Sequence, residues 1–525
     1  MKTAPTVTPY QSTAPAGRDG FAQLLHAEWT KFRTVRALVV AVITAALVTI
    51  LLAVYGGARS ENGCVNGPCH PFIATGPGGE AVTDAYYFVH RPLTADGSIT
   101  TEVTSLTGVI ETGQTPQGAA HTTPGLQVWS KAGLIVTAGS GQGSAYAAVM
   151  VTGSQGTRMQ WNYTGDTPGL PGTVSAASPR WLRLVRAGDV VTGYDSADGT
   201  NWTKIGTVTL PGLTGTVQSG LFATSPQSAQ QGSQQISGGS ATGNATDATA
   251  TFDRVSLQGG WPASAWTGTS VSGGSNSQYP TGTESGYHQA DGAFSVTGTG
   301  DIAPGAVGGM PVNSELAGMF FGIIALVVAG ALFITAEYRR GMIRVTLAAS
   351  PRRGRVLAAK AIVLGGVSFA AALIGAAGAI GIGDRLLSRN GYAIYPATTL
   401  TEVQVIAGTA ALTAVAAILA LGIGAIVRNG AAAVTIVITA LILPYVLAAT
   451  LPVLPAGAAD WLLRVTPAAG FAIQQAIPAY VQVAGGYTPS QGYFPLAPLA
   501  GFAVLCGYAV LALALGAFLL RRRDA

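Results

Sequence analysis

The chain has 525 residues, of which 48% are hydrophobic and only 10% are charged. Soluble domains carry about 25% charged residues, so this composition excludes an ordinary soluble protein and favours an integral membrane protein. The formal net charge is +5, but no basic stripe is interleaved with aromatic residues, and we therefore predict no nucleic-acid partner.

The N-terminal region divides into two parts. Residues 1–20 are rich in Thr, Pro, Ala and Ser, a composition that predicts disorder. From residue 21 onward apolar side chains recur at helical spacing, while Glu28, Lys31 and Arg33 occupy other faces. This pattern predicts an amphipathic helix over 21–36 that lies along the inner membrane interface. The alternative is a simple N-terminal extension of the first membrane span.

Six apolar runs approach or exceed the roughly 20 residues that cross a bilayer, and they predict six transmembrane helices. The runs cover residues 37–55, 316–336, 361–383, 403–427, 431–451 and 496–520. A cleaved signal peptide is the alternative for the first run. That run is longer than the apolar region of about 7–15 residues in such peptides, so we favour a retained helix.

The placement of Lys and Arg predicts the orientation. Basic residues are concentrated before the first run, in the segment 337–360, at Arg428 and in the tail 521–525. The short loops 384–402 and 452–495 hold only three basic residues, which are Arg385, Arg389 and Arg464. Short basic loops stay on the cytoplasmic side. We therefore predict a multi-pass plasma-membrane protein with both termini cytoplasmic, embedded in lipid, and with residues 56–315 outside.

Residues 56–315 are polar and rich in Gly, Ser and Thr, and they contain many short runs of alternating hydrophobicity separated by turn clusters. This pattern predicts a large inserted all-β sandwich over about 82–258, followed by a Gly/Ser-rich return segment over 259–313 that mixes short strands with a stalk. The fold class is therefore an α-helical integral membrane protein with a β-sandwich ectodomain.

Two of the three cysteines lie close together just beyond the first run. Cys64 and Cys69, in the sequence CVNGPC, would face an oxidising space, which favours a small-loop disulfide over two free thiols. Cys506 lies inside the last run and is interpreted as a packing residue.

The segment from Thr335 to Lys360, TAEYRRGMIRVTLAASPRRGRVLAAK, joins the second and third runs. One acid, Glu337, stands among seven cations: Arg339, Arg340, Arg344, Arg352, Arg353, Arg355 and Lys360. We interpret the segment as a stiff element that docks on a soluble partner, because the planar arginine fork pairs well with carboxylates. The alternative is that these arginines only anchor lipid headgroups and set the topology.

The membrane parts resemble permeases of the ABC-2 family, also called type V exporters. The resemblance is carried by LLHAEWTKFRTVRA, by TAEYRRGMIRVTLAASPRRGRVLAAKA, by six spans with a polar segment before the last, and by LLRRRDA at the C-terminus. It implies a cytoplasmic ABC ATPase as partner, a dimer of permeases, and a coupling helix between the second and third spans. The coupling residues it implies are Glu337, Tyr338, Arg339, Arg340, Gly341, Arg344, Arg352 and Arg353. Glu28, Lys31 and Arg33 would lie on the connecting helix that precedes the first span.

The external region resembles concanavalin A-like, laminin G-like sandwiches through AGLIVTAGSGQGSAYAAVMVT, RMQWNY and PRWLRLVRAGDVVTGYDSADGTNWTKIG. This resemblance predicts glycan contact at Trp161, Tyr163, Asp198 and Trp202. The alternatives are that the aromatic residues belong to the core and that Asp198 and the glycine after it form a hairpin turn.

Several kinds of chemistry are absent from the sequence. No GxxxxGK[ST] phosphate loop occurs, so we predict that the chain is not an enzyme, binds no cofactor itself and relies on ATP and Mg²⁺ held by its partner. No metal site is predicted, because the external histidines lack metal-ligand spacing. No catalytic residue is predicted, because no motif singles out a carboxylate pair. The acidic candidates are Asp84, Asp96, Glu102, Glu111, Asp166, Asp189, Asp195 and Asp253.

Three functional hypotheses follow. The leading one is the permease subunit of an ATP-driven exporter from a GC-rich bacterial genome, the latter suggested by the excess of Arg over Lys. The second is an ABC-type mechanotransmitter that acts through its ectodomain. The third is a membrane-anchored glycan-binding protein, for which six spans would be excessive.

Overall fold

The computed structural model of the chain describes residues 20–59, 73–114, 120–228, 244–271, 284–305, 309–349, 352–450, 456–483, 489 and 492–522. Within these residues, six helices are long and apolar enough to cross a membrane, and a large two-sheet β structure is inserted between the first and second of them. The predicted fold class is confirmed. Cys64, Cys69 and most of the two terminal segments lie outside the described residues.

The helices follow the apolar runs. They are α1 (Phe21–Thr34), α2 (Arg36–Arg59), α3 (Met319–Arg339), α4 (Met342–Ala349), α5 (Arg353–Arg389), α6 (Thr399–Val427), α7 (Gly430–Thr450), α8 (Ala456–Val465) and α9 (Pro498–Arg522). Two 3₁₀ segments, Val312–Gly318 and Pro467–Gln474, precede α3 and follow α8. The six candidate spans are α2, α3 (with the 3₁₀ turn before it), α5, α6, α7 and α9.

Two helix boundaries shape the region where α1, α3 and α4 meet. Val35 has extended backbone (φ −85°, ψ 100°), so it separates α1 from α2 and lets α1 leave the direction of the span. Gly341 has φ +67°, a conformation that glycine adopts without strain, and it makes the tight corner between α3 and α4. The short α4 is therefore a separate helix held directly against the end of α3.

Most of the described strands form two main sheets, and four short strands form two separate pairs. The strands are β1 (Val82–Asp84), β2 (Tyr86–Leu93), β3 (Gly97–Gln114), β4 (Ala120–Pro124), β5 (Lys131–Thr137), β6 (Tyr146–Thr152), β7 (Thr157–Trp161), β8 (Gly165–Pro168), β9 (Arg180–Ala187), β10 (Val190–Ser196), β11 (Thr203–Thr209), β12 (Val217–Thr224), β13 (Thr246–Gly259), β14 (Thr267–Val271), β15 (Gly286–Ala290), β16 (Ala293–Gly298), β17 (Ile302–Pro304), β18 (Gly309–Met310) and β19 (Ala393–Ile394).

One sheet has the order β11-β10-β9-β3-β13-β16-β15, with β4 paired to β3, and the other has the order β14-β2-β12-β5-β6-β7-β8. Their inner faces share one apolar core that includes Val149, Met159, Leu182, Leu221 and Phe252. Strands that alternate inward and outward residues, such as β9, place one face in this core.

The sandwich extends beyond residue 258, where the sequence pattern placed the start of a return segment. Strand β14 adds to the edge of one sheet beside β2, and β16 continues the other sheet beside β13. These strands are short and rich in Gly, Ser and Thr, so their alternation is weak in the sequence. Pairing to a preformed edge, rather than intrinsic propensity, decides their structure.

The strand that leads into the sandwich and the strand that leads out of it pair with each other. Strand β1 pairs antiparallel with β17, from Val82 opposite Pro304 to Asp84 opposite Ile302. The fully buried Lys131 ammonium lies 2.6 Å from the Asp301 carboxylate and donates to the Ile302 carbonyl at 2.6 Å. We call β1, β17 and this Lys131–Asp301 pair the neck.

The helices pack closely at glycines. A Cβ on Gly330 of α3 would lie 2.3 Å from the Ala417 carbonyl oxygen of α6, so only glycine allows these two backbones to approach this closely. The apolar core between the spans includes Ile323, Leu412 and Phe471.

Candidate functional site

Four charged side chains meet where α1 crosses the ends of α3 and α5. The Lys360 ammonium lies 2.6 Å from Glu28 Oε2 and 2.7 Å from Glu337 Oε1. The Lys31 ammonium lies 2.7 Å from Glu28 Oε1 and 3.2 Å from Glu337 Oε1. Each cation therefore bridges both carboxylates, and the signs alternate around the group. We call these four residues the charge cluster.

The charge cluster is mostly buried. Glu28 and Lys360 are 0% exposed, and Glu337 is 5% exposed. The Lys360 ammonium also lies 4.3 Å from the centre of the Phe333 ring, which in turn meets Phe32 edge to face at 5.4 Å. Buried charges are unfavourable unless each lies close to an opposite charge. The packing of α1, α3 and α5 seen here places all four charges beside opposite ones, so the cluster favours this register of the three helices.

Lys31 links the cluster to the short helix α4. Its ammonium donates to Thr346 Oγ1 at 3.2 Å. Burial alone lowers the pKa of Lys31, but the hydrogen bond to Glu28 and the charges of Glu28 and Glu337 outweigh this effect, so the net pKa is raised. Lys31 therefore stays protonated and joins α1 to both α3 and α4.

The outer surface beside the cluster is basic and partly apolar. Arg339, Arg340 and Arg344 are exposed around the α3–α4 corner. Met342 is 44% exposed and Val345 is 73% exposed. Exposed apolar side chains surrounded by arginines are typical of a protein contact surface. We call these five residues the α4 surface.

The structure separates the charged residues of the segment from Thr335 to Lys360 into two groups. Arg339, Arg340 and Arg344 lie on the α4 surface, whereas the Glu337 carboxylate and the Lys360 ammonium are buried. These two opposite charges pair with each other in the interior, so they are not part of the exposed basic surface.

Tyr338 and Arg353 of the same segment also make contacts within the chain. The Tyr338 ring lies 4.9 Å from the Arg428 guanidinium. Arg353 donates to the Leu520 carbonyl of α9, and Arg352 precedes the first turn of α5. Arg428 itself has φ +58°, a conformation rare for arginine, directly after α6.

On the connecting helix, Arg33 is exposed and Lys31 is partly exposed, but Glu28 is fully buried. The Glu28 carboxylate therefore makes its ion pairs inside the chain. The sequence holds a signal for this pairing, because Lys360 stands next to a long apolar run, where an unpaired ammonium would be unfavourable.

The four residues predicted to contact a glycan lie on two sheets. Trp161 ends β7 and Tyr163 lies in the β7–β8 turn of one sheet, whereas Asp198 and Trp202 lie in the β10–β11 turn of the other. Tyr163 is 1% exposed and cannot stack on a ligand.

Asp198 and Trp202 have structural partners. Asp198 accepts hydrogen bonds from the backbone N–H groups of Thr200 and Asn201, as a turn residue does, and these bonds lower its pKa. The Arg183 guanidinium covers the Trp202 ring at 3.9 Å. Within the described residues, no group of three or more His, Cys, Asp or Glu side chains has the arrangement of a metal site.

The helices and sandwich define a multi-pass membrane protein whose spans are tied together by ion pairs next to an exposed basic surface. The model of the family described as ABC-2 family transporter protein matches residues 170–525, which is more than half of the chain. The chain belongs to the ABC-2 transporter family. The match begins within the sandwich and covers α3 to α9, including the α4 surface and two members of the charge cluster.

None of the curated proteins compared with the chain matches it. Similar solved structures include a functionally unknown protein from Saccharomyces cerevisiae, 13% identical, which covers 38% of this chain and 91% of its own, with a TM-score of 0.22. Scytalido-glutamic peptidase is 7% identical and covers 41% of this chain and 98% of its own, with a TM-score of 0.26. The GH43 protein BlXynB from Bacillus licheniformis is 16% identical and covers 31% and 27%, with a TM-score of 0.18. These similarities are too distant to support an argument about the sandwich, so the concanavalin A-like resemblance stays a prediction.

Proposed function

We propose that this chain is the permease subunit of an ABC exporter, driven by a separate cytoplasmic ATPase that binds ATP and Mg²⁺. Family membership supports the permease class. Two permeases and two ATPases would form the working unit. The basic end of the helices would face the cytoplasm of a plasma membrane, and the sandwich would lie outside.

The observation that carries this proposal is the link between the α4 surface and the spans. A coupling element must bind its partner on one side and move transmembrane helices on the other. Lys31 contacts α4 through Thr346 and α3 through Glu337, while Lys360 joins α3 to α5. A push on α4 would therefore reach α1, α3 and α5 together, because buried ion pairs with short distances resist sliding.

The α4 surface has the chemistry to bind an ATPase. Arg339, Arg340 and Arg344 would pair with carboxylates of the partner, and the planar guanidinium favours bidentate pairs. Val345 and Met342 would fill an apolar groove at the centre of the contact, where most of the binding energy of an interface is concentrated. Arg33 and Arg352 would lie at the rim.

The mechanotransmitter function is the second candidate, and the neck favours it. Only residues 305–311 separate β17 from the 3₁₀ turn before α3, and part of this stretch, β18, pairs with β19 between α5 and α6. A displacement of α3 would thus reach the sandwich through a short connection. Transport of a labelled compound into inverted vesicles supports the exporter, and its absence in an ATPase-active complex supports the mechanotransmitter.

The test is purification of the tagged full chain from its native membrane in mild detergent, with mass spectrometry of co-purifying chains and an ATPase assay. We expect a stoichiometric ABC ATPase with the unmodified chain. In the double variant Arg339→Glu/Arg340→Glu the ATPase should be lost at least tenfold while the permease still folds. Arg521→Glu/Arg522→Glu, an equal charge reversal in the exposed last turn of α9, is the matched control and should retain the ATPase.

Two results would contradict the proposal. If no ATPase co-purifies with a monodisperse, folded permease, the chain does not work as the subunit of an ATPase-driven exporter. Retention of the ATPase together with normal transport in the Arg339/Arg340 variant would remove the α4 surface from the coupling role.

A further inference from the structure

Among the described residues, Gln482 joins the sandwich to the segment that precedes α9. Gln482 lies in the segment between the 3₁₀ turn Pro467–Gln474 and α9, and it is 2% exposed. Its side-chain amide donates to the carbonyl oxygens of Tyr163 at 2.9 Å and Thr164 at 3.2 Å. A buried side-chain amide that donates twice to residues more than 300 positions earlier in the chain forms a specific contact.

The backbone and side chains of the β7–β8 turn hold these two carbonyl oxygens in place. Asn162 and Tyr163 both have left-handed backbone, with φ of 42° and 62°, which is uncommon for residues other than glycine. Asn162 Oδ1 accepts from the Tyr146 N–H at 3.2 Å, and the Tyr163 hydroxyl donates to Asp84 Oδ2 at 2.7 Å. The surrounding structure therefore fixes the turn in a conformation that its residues would otherwise rarely adopt.

The turn is also connected to the neck, because Asp84 belongs to β1. On one side of Asp84 the strand pairs with β17, and on the other the carboxylate holds Tyr163. The neck itself has a strand ladder and a buried ion pair, and Thr83 Oγ1 adds a hydrogen bond to the Gly305 carbonyl at 2.6 Å. The Gln482 contact consists of two hydrogen bonds from one side chain, and Tyr480 of the same segment lies near enough to Glu80, just before β1, to feel its charge. The neck has more partners and a buried ion pair, so under load we expect the Gln482 contact to open first.

We propose that Gln482, with the carbonyls of Tyr163 and Thr164, is a latch that holds the sandwich against the segment before α9 and opens when α3 moves. This inference rests on the proposed function, because ATP-driven movement of the spans would supply the load. The charge cluster anchors one end of α3, and the neck follows its other end after a short connection. Motion at the α4 surface would thus pass along α3 to the neck and break the latch, which frees the sandwich to reorient as a unit.

The first experiment tests the latch without the ATPase. Hydrogen–deuterium exchange with mass spectrometry is measured on the full chain in lipid nanodiscs, for the unmodified chain, Gln482→Ala and Gln482→Glu. We expect exchange of amides in residues 157–168 to rise several-fold in Gln482→Ala. It should rise at least as much in Gln482→Glu, because a carboxylate would face two carbonyl oxygens. Peptides from β5 and β6 should not change, which shows that the sandwich is still folded.

Gln475→Ala is the matched control. Gln475 lies in the same external segment, but its amide donates to the Ile477 carbonyl within that segment. Its removal should change exchange near residues 475–483 and leave residues 157–168 unaffected. Unchanged exchange at 157–168 in both Gln482 variants, or an equal rise in Gln475→Ala, would overturn the latch.

The second experiment adds the co-purified ATPase with ATP under non-hydrolysing conditions. We expect exchange at 157–168 in the unmodified chain to rise to the level of Gln482→Ala, while β1 and β17 stay protected. An active complex in which ATP leaves 157–168 unchanged overturns the opening step. Failure to find any ATPase overturns the proposed function and ATP-driven opening with it, and the first experiment still decides whether Gln482 joins the two regions.

Discussion

Asp84 shows how the environment of one residue sets its chemistry. Its carboxyl group is 4% exposed, and Oδ2 accepts from the Tyr163 hydroxyl at 2.7 Å and from the Gly143 N–H at 2.9 Å. Burial raises its pKa to about 6 because water no longer stabilises the carboxylate, although the two hydrogen bonds act in the opposite direction. No sequence motif distinguishes Asp84 from the other acidic residues of the region 56–315.

This raised pKa predicts a pH dependence of stability. Between about pH 4 and pH 6 the folded chain holds a proton on Asp84 that the unfolded chain releases, so stability falls as the pH rises through this window. Asp84→Asn keeps an oxygen acceptor and should remove this contribution, which is on the order of 2–3 kcal/mol. The measurement is thermal unfolding of the full chain in detergent at pH 5 and pH 7.5, followed by tryptophan fluorescence.

Six of the eight tryptophans lie between residues 129 and 266, so this signal reports mainly the sandwich. Other groups titrate over the same range; burial lowers the pKa of His90, for example. The decisive quantity is therefore the difference between the unmodified chain and Asp84→Asn. If Asp84→Asn loses as much stability as the unmodified chain between pH 5 and pH 7.5, Asp84 is not the group responsible.

At the scale of elements, the charge cluster decides how α1, α3 and α5 meet. Amphipathic spacing predicted the connecting helix, and apolar length predicted the spans, but neither shows which helices touch. Glu28 and Lys360 are 332 positions apart and form a buried ion pair at 2.6 Å. Pairing at this sequence distance depends on the packing of whole helices, which local pattern does not encode.

The cluster predicts an asymmetric effect of removing its two lysines. Lys360→Met leaves Glu28 and Glu337 buried with one partly exposed cation, and loss of one partner of a buried ion pair costs about 3–5 kcal/mol. Lys31→Met removes a side chain that is 39% exposed, so water can compensate and the loss should be clearly smaller. Thermal unfolding of the purified chain by α-helical circular dichroism measures both.

The single variant Glu337→Gln and the double variant Lys360→Met/Glu337→Gln complete a double-mutant cycle with Lys360→Met. The double variant removes one charge of each sign, so it should recover part of the stability that Lys360→Met loses. Equal losses for the two lysine variants, or no recovery in the double variant, would show that the cluster does not hold the helices through charge.

At the scale of the whole molecule, the distribution of lysines provides a test of orientation. The chain has five lysines: Lys2, Lys31, Lys131, Lys204 and Lys360. Lys204 lies exposed on the sandwich, whereas Lys131 and Lys360 are fully buried. Lys31 is partly exposed at the basic end of the helices, and Lys2 lies outside the described residues.

A membrane-impermeant amine reagent applied to intact cells should therefore label Lys204 and leave Lys2, in the N-terminal segment predicted to be cytoplasmic, unlabelled. Lys31 is a poor reporter because its ammonium is held by two carboxylates. Lys204→Arg should abolish labelling from outside, and permeabilisation should then allow labelling of Lys2. Mass spectrometry of the labelled peptides gives the result. Labelling of Lys2 in intact cells, with Lys204 reached only after permeabilisation, would show that the orientation is inverted.

The sequence alone determined the class of protein, the number of spans and the presence of an inserted all-β region. These properties depend on composition, on apolar run length and on alternation, all of which are local. The sequence also placed arginines in the segment after α3, and three of them are exposed on the α4 surface.

Only the tertiary structure decided which charges between α3 and α5 are buried. It buried Glu337 and Lys360 together with Glu28 of α1. It also added β14 to β16 to the sandwich, separated the predicted glycan residues between two sheets, and brought Gln482 to the β7–β8 turn. Each of these outcomes depends on partners far apart in the chain. A buried polar group is stable only where such a partner lies within hydrogen-bond distance, and three-dimensional packing alone sets that distance.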